Sequence, residues 1–394
     1  MIPNYYEFQN STKILSGEYA LENIPQELMM HNCKDVLILT DKTLSKIGTL
    51  QTVIDSIYEE RINIKFVYDN IPQDSSIEII NELVSIYKKN KCDSIIAIGG
   101  GSVIDTAKGL RMALSQNVED ILELEGCEMI NYGKHIPLIV IPTTSGTGSE
   151  ATLVAVILDK IRNVKMEFIS YFLLPDVAVL DTRMTQSLPP KITAATGMDA
   201  LCHAIEAYSC MQKNPLSDAY ATSAIELIRD NLIEAVKNGK NKKVRLAMSN
   251  ASLMAGISFS NSMVGLIHAI GHAVGGVCHV PHGDAMAILM PHVMRYNKDM
   301  LEEEYGKLLL YIAGADVYAN TPKKQRAETT IQCIEKLQSE LSKITKLPKC
   351  LSDVNVKKSE FEEIAKKAIN DGAIIANPKA ITVEEIINIL ESAY

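Results

Sequence analysis

The chain has no C-x-x-C pair, no apolar run long enough to cross a bilayer and no tryptophan among its 394 residues. Its eight cysteines are scattered, at Cys33, Cys92, Cys127, Cys202, Cys210, Cys278, Cys333 and Cys350, so no compact disulfide framework is visible. Met1–Lys13 lacks the apolar core of a signal peptide. No stretch approaches the roughly 20 apolar residues that a membrane helix needs. These absences point to a reducing cytoplasm and away from a membrane. Positive charge is also short: 39 Lys and Arg stand against 48 Asp and Glu, a formal net charge of −9. That balance argues against nucleic acid or an anionic membrane surface as the main partner. There are no internal repeats and no low-complexity tract. The missing tryptophan excludes nothing.

What is present is ordered along the chain. A content of 47% apolar and 22% charged residues is a normal globular balance, and the length allows two domains. The first half alternates strand-like and helix-like segments. Val36–Thr40, Ile64–Tyr68 and Ser94–Ile98 are short runs rich in β-branched residues. Ile136–Ile141 is another, with prolines around it, and Val177–Leu180 reads as one last strand. Between them lie longer segments of helical period, such as Ser76–Asn90, which puts Ile79, Ile80, Leu83, Val84 and Tyr87 on one face. Strands alternating with helices imply parallel β-α units. From about Thr182 the pattern is helix after helix: Asp218–Val236, Lys242–Ser258, Val264–Val277, Glu302–Ala313, Ala327–Leu341, Ser359–Asn370 and Thr382–Ser392. The last carries Thr382 and Glu385 at the spacing of a capping box. The expected architecture is an α/β domain with a parallel sheet over residues 1–185, followed by an all-helical domain over residues 186–394. The junction is read near Leu188-Pro189-Pro190.

The most informative stretch runs from Gly197 to Gly283 and holds five of the eight histidines. Asp199 and His203 are four residues apart, as are His268 and His272, and that spacing stacks two side chains on one helix face. His279 and His282 follow in H-V-P-H-G-D-A. A carboxylate and imidazoles on neighbouring helix faces suit a divalent metal of borderline softness, ferrous iron or zinc. A single histidine on an apolar helix is an ordinary core residue; a cluster in Gly- and Ala-rich sequence needs partners for its polar atoms. Spacing alone does not choose between His279 and His282.

Three elements of the first half suit a dinucleotide. Ser94–Ile98 runs into Gly99, Gly100, Gly101 and Ser102, and a helical pattern begins at Val103. Glycines let backbone N–H groups approach a phosphate at the helix N-terminus. The loop Pro142-Thr-Thr-Ser-Gly-Thr-Gly-Ser-Glu150, rich in hydroxyls, follows the strand at Ile136–Ile141. In open α/β sheets ligands bind at such strand ends. Asp41, just after Val36–Thr40, can bind a ribose diol and would repel a 2′-phosphate, so NAD is expected over NADP. Asp41 can equally be the N-cap of the next helix.

Taken together, these segments resemble the iron-containing (group III) alcohol dehydrogenases. The resemblance rests on Thr40–Leu44, Ile96–Asp105, Pro142–Glu150, Leu174–Ala178, Ala194–Tyr208, Phe259–Asn261, His268–Gly276, Pro281–Gly283 and Pro291–Asn297, in order over nearly the whole chain. It implies an N-terminal dinucleotide-binding domain, an all-helical C-terminal domain and a metal in the cleft between them. Carried over residue by residue, it implies Asp199, His203, His268 and His282 as metal ligands, which favours His282 over His279. It places His272 near the substrate but off the metal. It implies cofactor contacts at Asp41, Gly99, Gly100, Gly101, Ser102, Thr143, Thr144, Thr147, Thr152, Lys165 and Thr182. This chain departs from the family at Pro72–Ser76, in the short turn between Asp159 and Lys165, and at Gly283–Ala287 after His282.

The activity implied is reversible, NAD(H)-dependent hydride transfer on a small primary alcohol, aldehyde or diol, in a homo-oligomer, with the metal polarising the substrate oxygen as a Lewis acid and His272 as the candidate proton relay. Fe2+ is the expected metal and Zn2+ the alternative. Competing readings are a hydroxyacid–oxoacid transhydrogenase or a 4-hydroxybutyrate-type dehydrogenase. A lyase of the dehydroquinate synthase type is disfavoured, because no cluster of Lys and Arg accompanies the ligand motifs. A non-catalytic binding protein is disfavoured by retention of all four ligands and both phosphate loops.

Overall fold

A computed structural model of the protein describes residues 3–58, 62–126, 133–162 and 164–394. Cys127 lies outside them; the other seven cysteines are free thiols. The chain divides into two compact units. One comprises residues 9–144 and 148–187, the other residues 3–8, 145–147 and 188–394.

The first unit is built on a parallel sheet. Its strands are β1 (Lys13–Gly17), β2 (Asp35–Leu39), β3 (Asn63–Tyr68), β4 (Ser94–Gly99), β5 (Leu138–Pro142) and β8 (Val177–Asp181), in the order β1-β8-β5-β4-β2-β3. Every pairing is parallel, as the alternation of strands and helices predicts. β4, β5 and β8 are buried throughout, the pattern of strands covered on both faces. Alternate residues Val36 and Ile38, Ile96 and Ile98, Ile139 and Ile141, and Val177 and Val179 share one core with Leu21, Leu28 and Val53, as the period of two requires. The helices here are α1 (Ile24–Met30), α2 (Lys42–Lys46), α3 (Thr49–Ser56), α4 (Ile77–Asn90), α5 (Gly101–Gln116) and α6 (Thr182–Thr185). α5 starts two residues before the Val103 read from the sequence, because Gly100 takes the N-cap place.

Two features escape the sequence reading. β1 is a largely exposed edge strand and lacks the apolar run that marks the others. β6 (Val154–Asp159) and β7 (Val164–Ile169) form an antiparallel hairpin outside the main sheet.

The second unit is helical in its described residues: α7 (Pro190–Ser209), α8 (Pro215–Lys237), α9 (Lys242–Ser260), α10 (Leu266–Cys278), α11 (His282–Asn297), α12 (Glu302–Ala313), α13 (Ala315–Asn320), α14 (Arg326–Thr345), α15 (Phe361–Ala368) and α16 (Val383–Ser392). The Thr382–Glu385 capping box is formed. One hydrophobic core runs through α7, α8, α10 and α11. None of the helices among the described residues is long and apolar enough to cross a membrane.

Candidate metal centre

Three helices of the second unit carry the site. α7 begins at Pro190, in the first turn where a missing N–H is harmless. A Cβ on its Gly197 would stand 2.3 Å from Leu232 Cδ1, so α8 packs against bare backbone there. Asp199, His203 and Glu206, at intervals of four and three, line one face of α7. α10 ends at His279, whose φ of 57° makes a left-handed C-cap donating its N–H to the Gly275 carbonyl. Pro281 then takes the N-cap position of α11, and His282 is its first residue.

These elements bring Asp199, His203, His268 and His282 together, with one ligand-type atom from each within 4.8 Å of the others. His279, spent on ending α10, is not among them. His282 Nε2 lies 3.2 Å from Asp199 Oδ1, and His203 Nδ1 lies 3.9 Å from it. The His203 and His268 ring centres are 4.4 Å apart, and Phe259 stacks on His203 with ring centres 4.4 Å apart. Asp199, His203 and His268 are buried, while His282 is partly exposed.

Burial alone would raise the Asp199 carboxyl, but His203 and His282 outweigh it and hold it below the ordinary carboxylate range. Burial pushes His203 down to about 3 and His268 well below its ordinary value. Burial thus favours the neutral forms of His203 and His268, the forms that offer a lone pair. His203 Nδ1 and His268 Nε2 are buried with no hydrogen-bond partner, and Asp199 Oδ1 faces only ring nitrogens of His282 and His203. Orphaned buried polar atoms are costly, and a divalent cation held by these residues would satisfy them. The residues present therefore fit the metal that their pattern predicts.

Two carboxylates behind the histidines were missed by the sequence reading. Glu206 Oε2 lies 2.5 Å from His268 Nδ1, and its Oε1 accepts the Ile267 N–H at 2.6 Å. Burial pushes Glu206 up to about 7, against the pull of the Gly265 and Ile267 N–H groups. The spacing of His203 and Glu206 on one helix face was a usable signal. Asp371 Oδ2 lies 3.0 Å from His272 Nδ1, across 99 residues of sequence with nothing to announce it. Its Oδ1 accepts the Ala373 N–H at 2.9 Å. Burial alone would raise Asp371, but His272 and the Ala373 N–H hold it below its ordinary value. His272 is thus backed by its own carboxylate, with its ring centre 5.8 Å from that of His268 and 5.5 Å from that of His282.

In the first unit, Asp41, Gly99 to Ser102, Thr143, Thr144 and Thr182 lie at or just after the C-terminal ends of β2, β4, β5 and β8, whereas Lys165 lies in the separate hairpin and Thr152 just before it. β4 pairs with β2 and β5 in a register that puts Leu39 beside Ala97 and Gly99 beside Pro142. Strand order reverses between β2 and β4, the kind of switch point at which open α/β sheets bind ligands. A Cβ on Gly99 would stand 2.5 Å from Val103 Cγ2, so the strand can enter α5 this tightly only as glycine. The α5 N-terminus, at Gly100, Gly101 and Ser102, has no side-chain cap, and Ser102 Oγ donates to the Gln73 carbonyl. The Thr143 N–H donates to the Gly99 carbonyl at 3.0 Å, and Thr144 Oγ1 borders Gly100.

Asp41 is the N-cap of α2, its Oδ1 accepting from Thr43 and Leu44 N–H at 2.7 and 2.9 Å. Thr152 is buried, with its Oγ1 2.9 Å from the ammonium of Lys108. Lys165 pairs with Asp74 at 2.8 Å. Thr182 is the buried first residue of α6. Thr147 belongs to the other unit.

A parallel-sheet unit, and a helical unit in which one aspartate and three histidines converge, give one chain the parts that a metal-dependent enzyme with a nucleotide cofactor needs. Comparison with known proteins agrees. The profile of the family described as iron-containing alcohol dehydrogenase matches residues 11–182. That of the Fe-containing alcohol dehydrogenase family, C-terminal, matches residues 193–394. Alcohol dehydrogenase 4 of Saccharomyces cerevisiae is 34% identical over 382 residues, 96% of each chain. The NAD-dependent methanol dehydrogenase of Bacillus methanolicus is 34% identical over 377 residues, 96% of this chain and 97% of the relative. A solved structure of 1,3-propanediol oxidoreductase superposes with a TM-score of 0.94 at 31% identity, covering 99% of this chain and 100% of that one. The chain belongs to the iron-containing alcohol dehydrogenase family. Its activity is accordingly that of a metal-dependent oxidoreductase of alcohols.

Proposed function

We propose that this chain interconverts a small primary alcohol or diol and the corresponding aldehyde, with NAD(H) as hydride carrier and Fe2+, or alternatively Zn2+, held by Asp199, His203, His268 and His282. The observation that carries the reading is the convergence of Asp199, His203, His268 and His282, with buried His203 Nδ1 and His268 Nε2 left without a hydrogen bond. A relative that is an NAD-dependent methanol dehydrogenase and a structural neighbour that acts on 1,3-propanediol support the cofactor and the substrate class. The nucleotide-binding half is taken as residues 1–185 and the metal-binding half as residues 186–394, in a cytoplasmic homo-oligomer.

The reaction moves a hydride between the carbinol carbon and the nicotinamide, and a proton to or from the substrate oxygen. A divalent ion supplies Lewis-acid polarisation of that oxygen. The remaining work falls to side chains. Asp199 contributes the one negative charge of the ligand set, so that a bound dication keeps a net charge of +1. Asp371 accepts the Nδ1 proton of His272 and leaves Nε2 as the atom that takes or returns the substrate's proton. In the other unit the uncapped N-terminus of α5 offers N–H groups to the pyrophosphate. Asp41, with Oδ1 engaged in the cap, keeps Oδ2 for a ribose hydroxyl.

The test is a substrate panel on protein of known metal content. Small aldehydes, diols and hydroxy acids are assayed with NADH and NADPH, after chelation and after reloading with Fe2+ or Zn2+. Turnover of small aldehydes with NADH that chelation abolishes and metal restores is the expected result. Turnover unaffected by metal removal, or confined to hydroxy acids and oxo acids without exchange of free cofactor, refutes it.

A further inference from the structure

Resting on the reading of His268 as a metal ligand, we infer that Glu206 is a positioning residue that fixes the His268 tautomer, holding the proton on Nδ1 and the lone pair of Nε2 toward Asp199, His203 and His282. A neutral imidazole carries one N–H and one lone pair, and the hydrogen bond at one nitrogen decides the state of the other. His268 Nδ1 meets Glu206 Oε2, and His268 Nε2 is the buried atom left without a partner. Both residues are almost wholly buried, at 5% and 2% exposure, so no bulk water substitutes for either contact.

Glu206 is held from its other side as well. Its Oε1 accepts the Ile267 N–H, one of the donors that the first turn of α10 leaves unsatisfied. No side chain caps this helix at Gly265. A Cβ on Gly265 would stand 3.2 Å from Glu206 Oε1, so a bare residue there lets the carboxylate close in. The two oxygens therefore have two separate N–H partners on consecutive residues. With Oε1 accepting the Ile267 N–H, Oε2 is left as the acceptor that faces His268 Nδ1. Because Glu206 lies one turn beyond His203 on α7, the helix that supplies Asp199 and His203 also orients the ligand contributed by α10.

The arrangement makes Glu206→Gln a sharp probe, since an amide has one acceptor and one donor end. With its oxygen kept on the Ile267 N–H, its NH2 faces Nδ1 and forces the imidazole proton onto Nε2, into the ligand cluster. Turned over, it sets its NH2 against the Ile267 N–H and removes the cap of α10. Both outcomes weaken the metal site. Zinc affinity of the metal-free protein, measured by competition with a chromophoric chelator, is expected to fall about 10- to 100-fold in E206Q, with the far-UV circular dichroism unchanged.

A second measurement does not depend on the variant folding. In wild-type protein labelled with 15N-histidine, zinc-loaded and metal-free, the His268 signals, identified by their loss in H268A, are expected to show a protonated Nδ1 and an unprotonated Nε2. A folded E206Q with wild-type zinc affinity, or a metal-free wild type whose His268 carries its proton on Nε2, overturns the assignment to Glu206. Retention of full zinc affinity by H268A instead removes His268 from the ligand set, a separate failure.

Discussion

Replacing Gly283 by alanine perturbs the metal site without touching a ligand. Gly283 follows His282 at the start of α11, and a Cβ there would stand 2.8 Å from the Ala195 carbonyl oxygen and 3.0 Å from its carbon. Both are backbone atoms of α7 and cannot swing aside. An ordinary non-bonded contact is about 3.5 Å, so the start of α11 must retreat by roughly 0.7 Å. Ligand constellations tolerate displacements of about 0.5 Å, and His282 is the residue next to the clash. Overpacking of this kind costs about 1–3 kcal/mol. If half of that appears at the metal, affinity falls about 2- to 13-fold.

The control is Gly276→Ala, in α10, where no heavy atom lies within 4 Å of the added carbon. There the helix is expected to gain about 0.5–1 kcal/mol. The assay is urea unfolding of metal-free protein, repeated with zinc, together with zinc competition. The gap between wild type and G283A should widen with zinc, because a ligand stabilises the native state in proportion to how tightly it binds. A G283A protein within about 0.5 kcal/mol of wild type, with unchanged zinc affinity, refutes the claim that the close approach of α11 to α7 sets the position of His282.

Three further outcomes are expected. His268→Ala should lose most of its metal, whereas His272→Ala should keep it and lower turnover by about 10²–10⁴-fold; metal analysis of the two variants side by side checks this, and equal loss in both makes His272 part of the metal site. Asp41→Gly should narrow the preference for NADH over NADPH in steady-state assays while costing the α2 cap little, since glycine is a fair N-cap; a wild type that already prefers NADPH contradicts the placement of Asp41 on the ribose. Glu150 is buried and pushed up to about 7 by burial, so between its ordinary value of 4.5 and about 7 the folded chain holds a proton that the unfolded chain has lost. Stability should therefore fall as pH rises through that window. Glu150→Gln should flatten this slope by up to about 1.4 kcal/mol per pH unit, read from urea midpoints between about pH 4.5 and 7; an unchanged slope refutes the assignment.

Local chemistry was legible in the sequence wherever it repeats at a structural period. β2, β3, β4, β5 and β8 announce themselves as β-branched runs, and the alternation with helices is enough for a parallel sheet. Asp199 with His203, and His268 with His272, are readable as helix-face pairs because 3.6 residues make a turn. Glu206 belongs to the same class of signal, one turn on from His203, but a glutamate on a helix is ordinarily a solvated residue and does not stand out. β1 gives no such signal: an edge strand buries little and needs no apolar run.

Partnership between distant segments is another matter. Whether His272, His279 or His282 completes the cluster with Asp199 depends on where α10 stops and how α11 begins. That is decided by the left-handed turn at His279 and by the Gly283 contact with α7. Asp371 meets His272 only because the segment before α16 packs on α10, and β1 meets β8 only across some 160 residues. The sequence by itself determined which residues can share a face, since that follows from backbone period. Tertiary structure decided which faces meet and which nitrogen of each histidine is left to bind, since those depend on packing and on hydrogen bonds between residues that the chain keeps far apart.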